Sequence, residues 1–275
     1  MAVFIFALSL LFAPLGAQNE QKYEMSDGSC FSIHYIDVGQ ADSALIICKG
    51  EAMLIDGGNV ADSQILKDYL KKLGIKNLKY VIASHAHEDH VGGLSGALEQ
   101  AKTSVAFSPV NTFNSRAFRN FVKNLQAQGV NITIPQGETK LILGMSEVAL
   151  FAPTKKYKNT NDTSIIVKVI HQDNSFLFTG DIEAEAERNF VEKGYNLKAD
   201  VLKVSHHGSA TSSSNLFLDS VNPRYAVISV GKNNSYRHPS ARVITRLDSR
   251  KTKIYRTDQQ GTIIIKSDGK NVITD

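Results

Sequence analysis

The sequence predicts an α/β fold in which strands and helices alternate along the chain. Short apolar runs of strand length recur throughout, and segments with helical spacing of apolar residues separate them. The chain has 275 residues, 42% hydrophobic and 21% charged, which suits one large soluble domain with a full core. The predicted strands are 32–37, 43–48, 52–55, 79–83, 164–170, 175–179, 200–204, 225–230 and 261–266. The predicted helices are 62–73, 90–100, 115–128, 182–193, 213–221 and 239–250.

The N-terminal segment, residues 1–17, predicts a secretory signal peptide. Its apolar run, 3–12, is too short for a stable membrane anchor, and small residues up to Ala17 offer a cleavage site before Gln18. No Lys or Arg precedes the apolar run, so an uncleaved hydrophobic helix is the alternative. Removal of the segment would make the mature protein secreted or periplasmic.

The two cysteines flank the first predicted hairpin, 31–48, whose turn lies near Gly39. Cys30 and Cys48 would therefore lie at its open end, where a disulfide is feasible in an oxidising compartment. Two free buried thiols are the alternative, because a shift of one residue in the register of the hairpin decides between them.

The most specific chemical signal is Ser84-His85-Ala86-His87-Glu88-Asp89-His90, which follows the apolar run 80–83. Each imidazole left unpaired in a packed interior costs free energy, so a cluster of three indicates a metal site. An extended backbone points His85 and His87 the same way, so both can bind one ion. A helix that begins near Asp89 would direct Asp89 and His90 toward a second ion.

Five further motifs follow a fixed order around this string, and together they resemble one family. The motifs are Asp37-Val-Gly-Gln-Ala-Asp-Ser43, Leu54-Ile-Asp-Gly-Gly58, Phe178-Thr-Gly-Asp181, Val204-Ser-His-His-Gly-Ser209 and Ser229-Val-Gly-Lys-Asn-Asn-Ser-Tyr-Arg-His-Pro239. The chain resembles the metallo-β-lactamase fold superfamily and, within it, the extracellular hydrolase domain of ComEC-type DNA-uptake proteins and their free-standing relatives.

The resemblance begins near Phe31 and implies a hydrolase domain over 28–275. It implies two mixed β-sheets packed face to face between helices, a four-layer αββα sandwich. The family has Gly where Ala41 and Arg237 stand, so a positive φ at either position would require a different local turn here.

The remaining ligands of the second ion are expected to follow later strands. Asp181 follows a predicted strand and is expected to bridge both ions, with an N-cap of the next helix as the alternative. An extended backbone after 199–205 would direct His206 to the same edge, where it completes the second site with Asp89 and His90. His207 would then point the other way and contact substrate phosphate or transfer a proton. An exchange of roles between His206 and His207 is the alternative.

The first ion lacks the third histidine that the resemblance implies. Asn161-Asp162-Thr163-Ser164 occupies the corresponding place, and Asp162 is expected to substitute, with a solvated turn as the alternative. An oxygen donor there would make the site tolerant of manganese beside zinc. Asp56 resembles the family's carboxylate that accepts a hydrogen bond from a ligand imidazole and fixes its tautomer. His34 and His171 are assigned no role.

This ligand set predicts a metal-dependent hydrolase with two divalent ions, Zn or Mn. Such ions acidify a shared water and stabilise charge on the attacked centre. We expect catalytic roles for Asp89, His207 and His238, with His207 or His238 giving a proton to the leaving oxygen.

Positive charge is concentrated near the C-terminus, although the net charge of the whole chain is only +4. Between Asn222 and Arg256 nine Lys or Arg face one acid, Asp248. Arg242, Arg246 and Arg250 recur every four residues and form a stripe that could engage successive phosphates, with a solvated helix face as the alternative. The residues predicted to bind substrate are Asn234, Tyr236, Arg237, His238 and Arg242.

These features favour a phosphodiester substrate, either DNA or a smaller nucleotide-like phosphoester, and so an exported phosphodiesterase or nuclease. The alternative is hydrolysis of a β-lactam, lactone or thioester at the same two ions. A binding module that keeps the fold without catalysis is a third possibility. Any membrane channel that works with the domain is expected to be a separate partner.

Overall fold

The computed structural model describes residues 30–153 and 155–274. The predicted signal peptide, 1–17, and the predicted domain start at residue 28 lie outside these residues. Within the described ranges no helix combines the length and the apolar character that a membrane crossing requires.

In the described residues fifteen strands form two mixed sheets. The first sheet contains β1 (Phe31–Tyr35), β2 (Ala44–Cys48), β3 (Glu51–Ile55), β4 (Asn77–Ile82), β5 (Lys102–Phe107), β6 (Ile132–Thr133), β14 (Ile263–Ser267) and β15 (Val272–Thr274), in the order β15-β14-β1-β2-β3-β4-β5-β6. The second contains β7 (Glu138–Leu143), β8 (Ser146–Phe151), β9 (Ile166–His171), β10 (Asn174–Phe178), β11 (Val201–Lys203), β12 (Tyr225–Ile228) and β13 (Lys253–Arg256), in the order β13-β12-β11-β10-β9-β8-β7.

Helices cover the outer faces of both sheets. They are α1 (Ser63–Lys72), α2 (Glu88–Val91), α3 (Leu94–Gln100), α4 (Arg116–Ala127), α5 (Ala184–Glu192), α6 (Asn215–Val221), α7 (Ala241–Asp248) and α8 (Thr257–Gln260). One apolar core, which includes Phe31 and Phe176, lies between the sheets. A second core joins the first sheet to α1, α3 and α4, and a third joins the second sheet to α5, α6 and α7. This arrangement confirms the four-layer αββα sandwich.

The nine predicted strands and six predicted helices overlap observed elements, but several strands were missed. β5, β7 and β8 carry Lys, Glu and Thr among their apolar residues and alternate in exposure, so they lack the continuous apolar runs that predict buried strands. The predicted helix 90–100 is divided into α2 and α3 at Gly92 and Gly93. A Cβ on Gly93 would lie 2.0 Å from the carbonyl oxygen of Gly57, so the backbones approach too closely for a side chain.

The first hairpin forms as predicted, and its register decides between the two cysteine alternatives. Phe31 pairs with Cys48, so Cys30 is offset by one residue, and its carbonyl accepts a hydrogen bond from Lys49 N at 2.9 Å. Both thiols are free. Successive side chains on a strand point to opposite faces, so this register does not favour a disulfide.

The pairing of the central strands brings distant motifs to one edge of the sandwich. β3 pairs parallel with β4, and β10 pairs parallel with β11. Asp56, His85 and Asp181 each follow the C-terminal end of one of these strands, as do the two histidines after β11. Because parallel strands end at the same edge, these side chains collect there.

Candidate metal centre

The histidine-rich loop between β4 and α2 forms one wall of the centre. His85 Nε2 lies 3.0 Å from His87 Nδ1, so the two imidazoles converge as the alternation predicted. His85 is fully buried, and His87 is half-buried. Asp89 and His90 lie in the first turn of α2, which turns their side chains toward the second sheet.

Asp56 holds this loop in place and fixes one imidazole. Its Oδ1 accepts a hydrogen bond from Ser84 N at 2.7 Å, and its Oδ2 lies 2.9 Å from His90 Nδ1. An N–H at Nδ1 that donates to Asp56 leaves Nε2 of His90 available for a ligand. Asp56 itself has φ +58, a strained conformation. This geometry agrees with the role expected for Asp56.

Asp42 makes a matching contact with His207. Its Oδ1 lies 3.2 Å from His207 Nδ1, and its Oδ2 lies 2.7 Å from Nζ of Lys203. His207 Nδ1 makes its hydrogen bond with the carbonyl oxygen of Ser229 at 3.0 Å, and the negative charge of Asp42 beside it also favours a proton on Nδ1. Asp42, Lys203 and His207 are all nearly inaccessible to solvent. Neither Asp42 nor Lys203 is among the site residues predicted from the sequence.

The structure places His207 inside the cluster and His206 at its margin. Both residues have left-handed backbones, with φ +50 at His206 and +52 at His207, so the extended conformation assumed from the sequence does not occur. His207 Nε2 lies 3.3 Å from Asp89 and 3.7 Å from Asp181, whereas His206 Nε2 is 3.9 Å from Asp181. The geometry thus favours the alternative in which the two histidines exchange roles.

His206 is linked instead to a carboxylate outside the predicted set. Its Nδ1 lies 3.4 Å from Oε1 of Glu183, an ion-pair distance, and the same oxygen accepts a hydrogen bond from Asn161 at 3.2 Å. His206 retains 23% side-chain exposure and Asp89 retains 32%, so the centre opens to solvent on their side. A substrate would approach from there.

Four side chains offer ligand atoms that all lie within 4.8 Å of one another. They are Asp89, His90, Asp181 and His207. Nε2 of His90 and Oδ1 of Asp181 are buried without a hydrogen-bond partner among the described residues. Buried polar atoms are normally satisfied, so these free atoms, with two nitrogen and two carboxylate donors, fit a divalent cation. Helix α5 begins at Ala184 with Glu183 as its N-cap, which excludes the alternative N-cap role for Asp181.

Electrostatics within the cluster also fit a cation. Burial would raise the pKa of Asp181, but the charges of His90 and His207 hold it well below its usual range. Burial would lower the pKa of His207, but Asp181 and Asp42 raise it to about 10. Protons on the imidazoles thus balance the carboxylates, and a divalent cation would replace that positive charge and release them.

The site of the first ion, near His85 and His87, differs from the prediction that Asp162 is its third ligand. Oδ1 of Asp162 accepts a hydrogen bond from Glu183 N at 2.8 Å, so this oxygen supports the Glu183 loop. The side-chain oxygen of Asn161 is buried without a hydrogen-bond partner among the described residues and lies beside His87. Asn161 is therefore the better candidate for the third donor next to His85 and His87. An amide oxygen can serve as a hard ligand, but its sequence signal is that of a turn.

The loop 231–239 adjoins the open side of the centre. The Asn234 amide donates to the carbonyls of Gly231 and His238 and accepts from His238 N, so its polar atoms hold the loop rather than face a substrate. The ring of His238 lies 5.7 Å from that of His206. Burial, with the charges of His206 and His207, lowers the pKa of His238 to about 4, so its imidazole is neutral at pH 7.

The two departures from the family pattern have different outcomes. Ala41 lies outside the residues with positive φ, whereas Arg237 adopts φ +59. The turn at 237 therefore keeps a glycine-like backbone, although a Cβ is unfavourable there.

Two of the three arginines in the predicted stripe on α7 bind other groups of the protein. Arg246 donates to the carbonyls of Ser212 and Ser213, and Arg250 pairs with Asp219 at 2.6 Å. Arg242, at the start of the helix, is exposed. A continuous row of three phosphate contacts is not supported, and the exposed cations nearest the loop are Lys232, Arg237 and Arg242.

Two sheets between helices, with a histidine and aspartate centre at one edge, define a metal-dependent hydrolase. Residues 36–232 match the family model described as the metallo-beta-lactamase superfamily. The chain belongs to this superfamily, as its motifs predicted.

Curated relatives include proteins named for competence. ComE operon protein 3 of Bacillus subtilis is 30% identical over 250 residues, covering 84% of this chain and 32% of that protein. Competence protein ComA of Neisseria gonorrhoeae is 32% identical over 229 residues, covering 82% of this chain and 31% of that protein. The chain thus spans about a third of the length of these relatives.

A solved structure supports the fold. Igni18, a metallo hydrolase from Ignicoccus hospitalis, aligns with a TM-score of 0.56 at 16% identity, covering 86% of this chain and 99% of that one.

Proposed function

We propose that this protein is a metal-dependent phosphodiesterase that cleaves nucleic acid. The observation that carries the proposal is the position of exposed cations, Arg237 and Arg242, on the loop and helix start that adjoin the open side of the metal centre. Phosphate groups are attracted to such cations, whereas a neutral acyl substrate gains little from them.

The ligand residues divide into two groups that share Asp181. Asp89, His90 and His207 would hold one divalent ion, and His85, His87 and Asn161 would hold the other. Their mixed nitrogen and oxygen donors suit Zn or Mn. When bound, such ions supply an acidified water at neutral pH and stabilise negative charge on the attacked centre.

The remaining residues position these groups and the substrate. Asp56 and Asp42 orient His90 and His207 through their Nδ1 atoms. His206 and His238 lie at the solvent-exposed margin, where an imidazole N–H can donate a hydrogen bond to a leaving or non-bridging oxygen. Arg237 and Arg242 would contact the flanking phosphates.

Location and partners belong to the same proposal. The apolar segment 1–17 supports export, which would place the enzyme in the periplasm or outside the cell. The resemblance of the motifs to ComEC-type DNA-uptake proteins, with one relative named as a competence protein, supports DNA as the substrate. A separate membrane protein is the partner that this proposal expects.

The test is digestion of DNA and of bis(p-nitrophenyl) phosphate by the purified protein with Mn²⁺ or Zn²⁺, with Asp181→Asn as the inactive control. We expect turnover with at least one ion, and DNA cleavage that declines steeply with salt. Metal analysis of the freshly purified protein would identify the ion. Hydrolysis of nitrocefin or a lactone, with no cleavage of any phosphodiester, would overturn the proposal in favour of an acyl hydrolase.

A further inference from the structure

Tyr236 is the most exposed large hydrophobic side chain in the described part of the chain. It retains 68% of its accessible surface, against 51% for Ile142, the next most exposed. Most of this aromatic surface is in solvent near the metal centre, so it is available to a ligand.

One face of the Tyr236 ring is already supported by protein. The ring stacks on His238 at 5.6 Å between centroids and 25° between planes. His238 in turn lies edge-on to His206, whose ring is 6.1 Å from that of His207. Successive ring contacts therefore connect Tyr236 to His207, a proposed metal ligand.

The loop is held in shape before any ligand arrives. Asn234 bonds to the backbone at both ends of the loop, and Gly231 N donates to Gln40 Oε1 at 3.0 Å, which ties the loop to the other sheet. A loop that is already ordered loses little conformational entropy when a ligand binds. Lys232 and Arg237, both exposed, add positive charge to the same loop, before and after Tyr236 in the sequence.

We propose that the exposed face of Tyr236 stacks on an unpaired base of a strand whose phosphodiester lies at the metal centre, so that single-stranded nucleic acid is the preferred substrate. This inference rests on the proposed function and adds the substrate class. Stacking on an aromatic side chain tolerates any base, and the adjacent cations suit the phosphates. Bases in a duplex are already stacked and paired, and a small phosphodiester without a base offers nothing to stack.

Binding without turnover tests the stacking directly. An oligonucleotide containing 2-aminopurine is titrated with the full-length protein in EDTA, and stacking is followed as quenching of its fluorescence. Tyr236→Phe keeps the ring and should retain quenching, whereas Tyr236→Ala should lose it and bind about 10-fold or more weakly. Ile142→Ala, an exposed apolar residue on β7, is the matched control and should resemble the wild type. Equal quenching by Tyr236→Ala and the wild type would overturn the proposal.

Kinetics separate this inference from the function on which it rests. With Mn²⁺, Tyr236→Ala should raise KM for a single-stranded oligonucleotide about 10-fold but raise it much less for an abasic strand of the same length, whereas Ile142→Ala should change neither value. An equal loss on both substrates, or a wild-type preference for duplex, would reject the stacking role while leaving phosphodiester hydrolysis intact. Quenching that depends on Tyr236 without hydrolysis of any phosphodiester would instead reject the proposed function and leave the stacking site.

Discussion

Asp42 Oδ1 lies 3.2 Å from Nδ1 of His207, and this ion pair parallels the 2.9 Å hydrogen bond between Asp56 and His90. Each carboxylate holds the Nδ1 atom of an imidazole whose Nε2 faces Asp181. Lys203 neutralises Asp42 in the interior, where a lone carboxylate would be unfavourable. The centre therefore has two carboxylate–histidine pairs.

Asp42→Asn should weaken metal binding. The carbonyl of Ser229 still accepts from Nδ1, but the amide removes the negative charge that holds and polarises the imidazole, so we expect a loss of about 10-fold in affinity. Competition with a chromophoric chelator measures the dissociation constant. Asp68→Asn, an exposed carboxylate on α1, is the control. An unchanged constant in Asp42→Asn would show that the contact does not orient a ligand.

His206→Ala and His207→Ala should differ in metal content. His207 lies within the four-residue cluster, so its removal should reduce the bound metal and hydrolysis together. His206 is at the margin, so its removal should lower the hydrolysis rate by about 10- to 100-fold while metal is retained. Metal analysis after gel filtration, with rates on one phosphodiester, provides the comparison. If His207→Ala retains its metal and His206→Ala loses it, the roles expected from the sequence are correct instead.

The sequence predicts the parts of the centre that depend on local patterns. The apolar run before His85, the His-x-His spacing and Asp181 at a strand end are local, and their geometry follows from strand alternation. The geometry favours exchanged roles for His206 and His207 because two consecutive left-handed residues change the direction of both side chains, which no residue-type rule anticipates. Asp42 and Lys203 were missed because their roles depend on contacts between the two sheets.

Arg237→Gly should stabilise the protein. Arg237 has φ +59, a conformation unfavourable for a residue with a Cβ, and glycine relieves that strain but loses more entropy on folding. We expect a net gain of about 0.5–1 kcal/mol in the free energy of unfolding, measured with urea. Arg237→Lys keeps the strain and should show no gain. If glycine destabilises the protein, the arginine side chain makes stabilising contacts that outweigh the strain.

His34 should make stability depend on pH below neutrality. Its imidazole is buried, with Nδ1 2.8 Å from the hydroxyl of Tyr69 and Nε2 3.0 Å from that of Ser32. Burial, with the nearby charge of Lys266, lowers its pKa from 6.5 to about 4. The unfolded chain therefore binds a proton more readily than the folded protein between pH 6.5 and 4, and the stability contributed by neutral His34 is lost as pH falls through that range.

His34→Gln removes this titration while keeping a neutral polar side chain. Lowering the pH from 7.5 to 5 should cost the wild type about 2 kcal/mol more in free energy of unfolding than the variant, because the unfolded imidazole is then protonated and the folded one is not. Urea unfolding at both values measures the difference, and other titrating groups cancel because they are common to both proteins. Identical losses in the two proteins would mean that His34 accepts a proton as readily folded as unfolded.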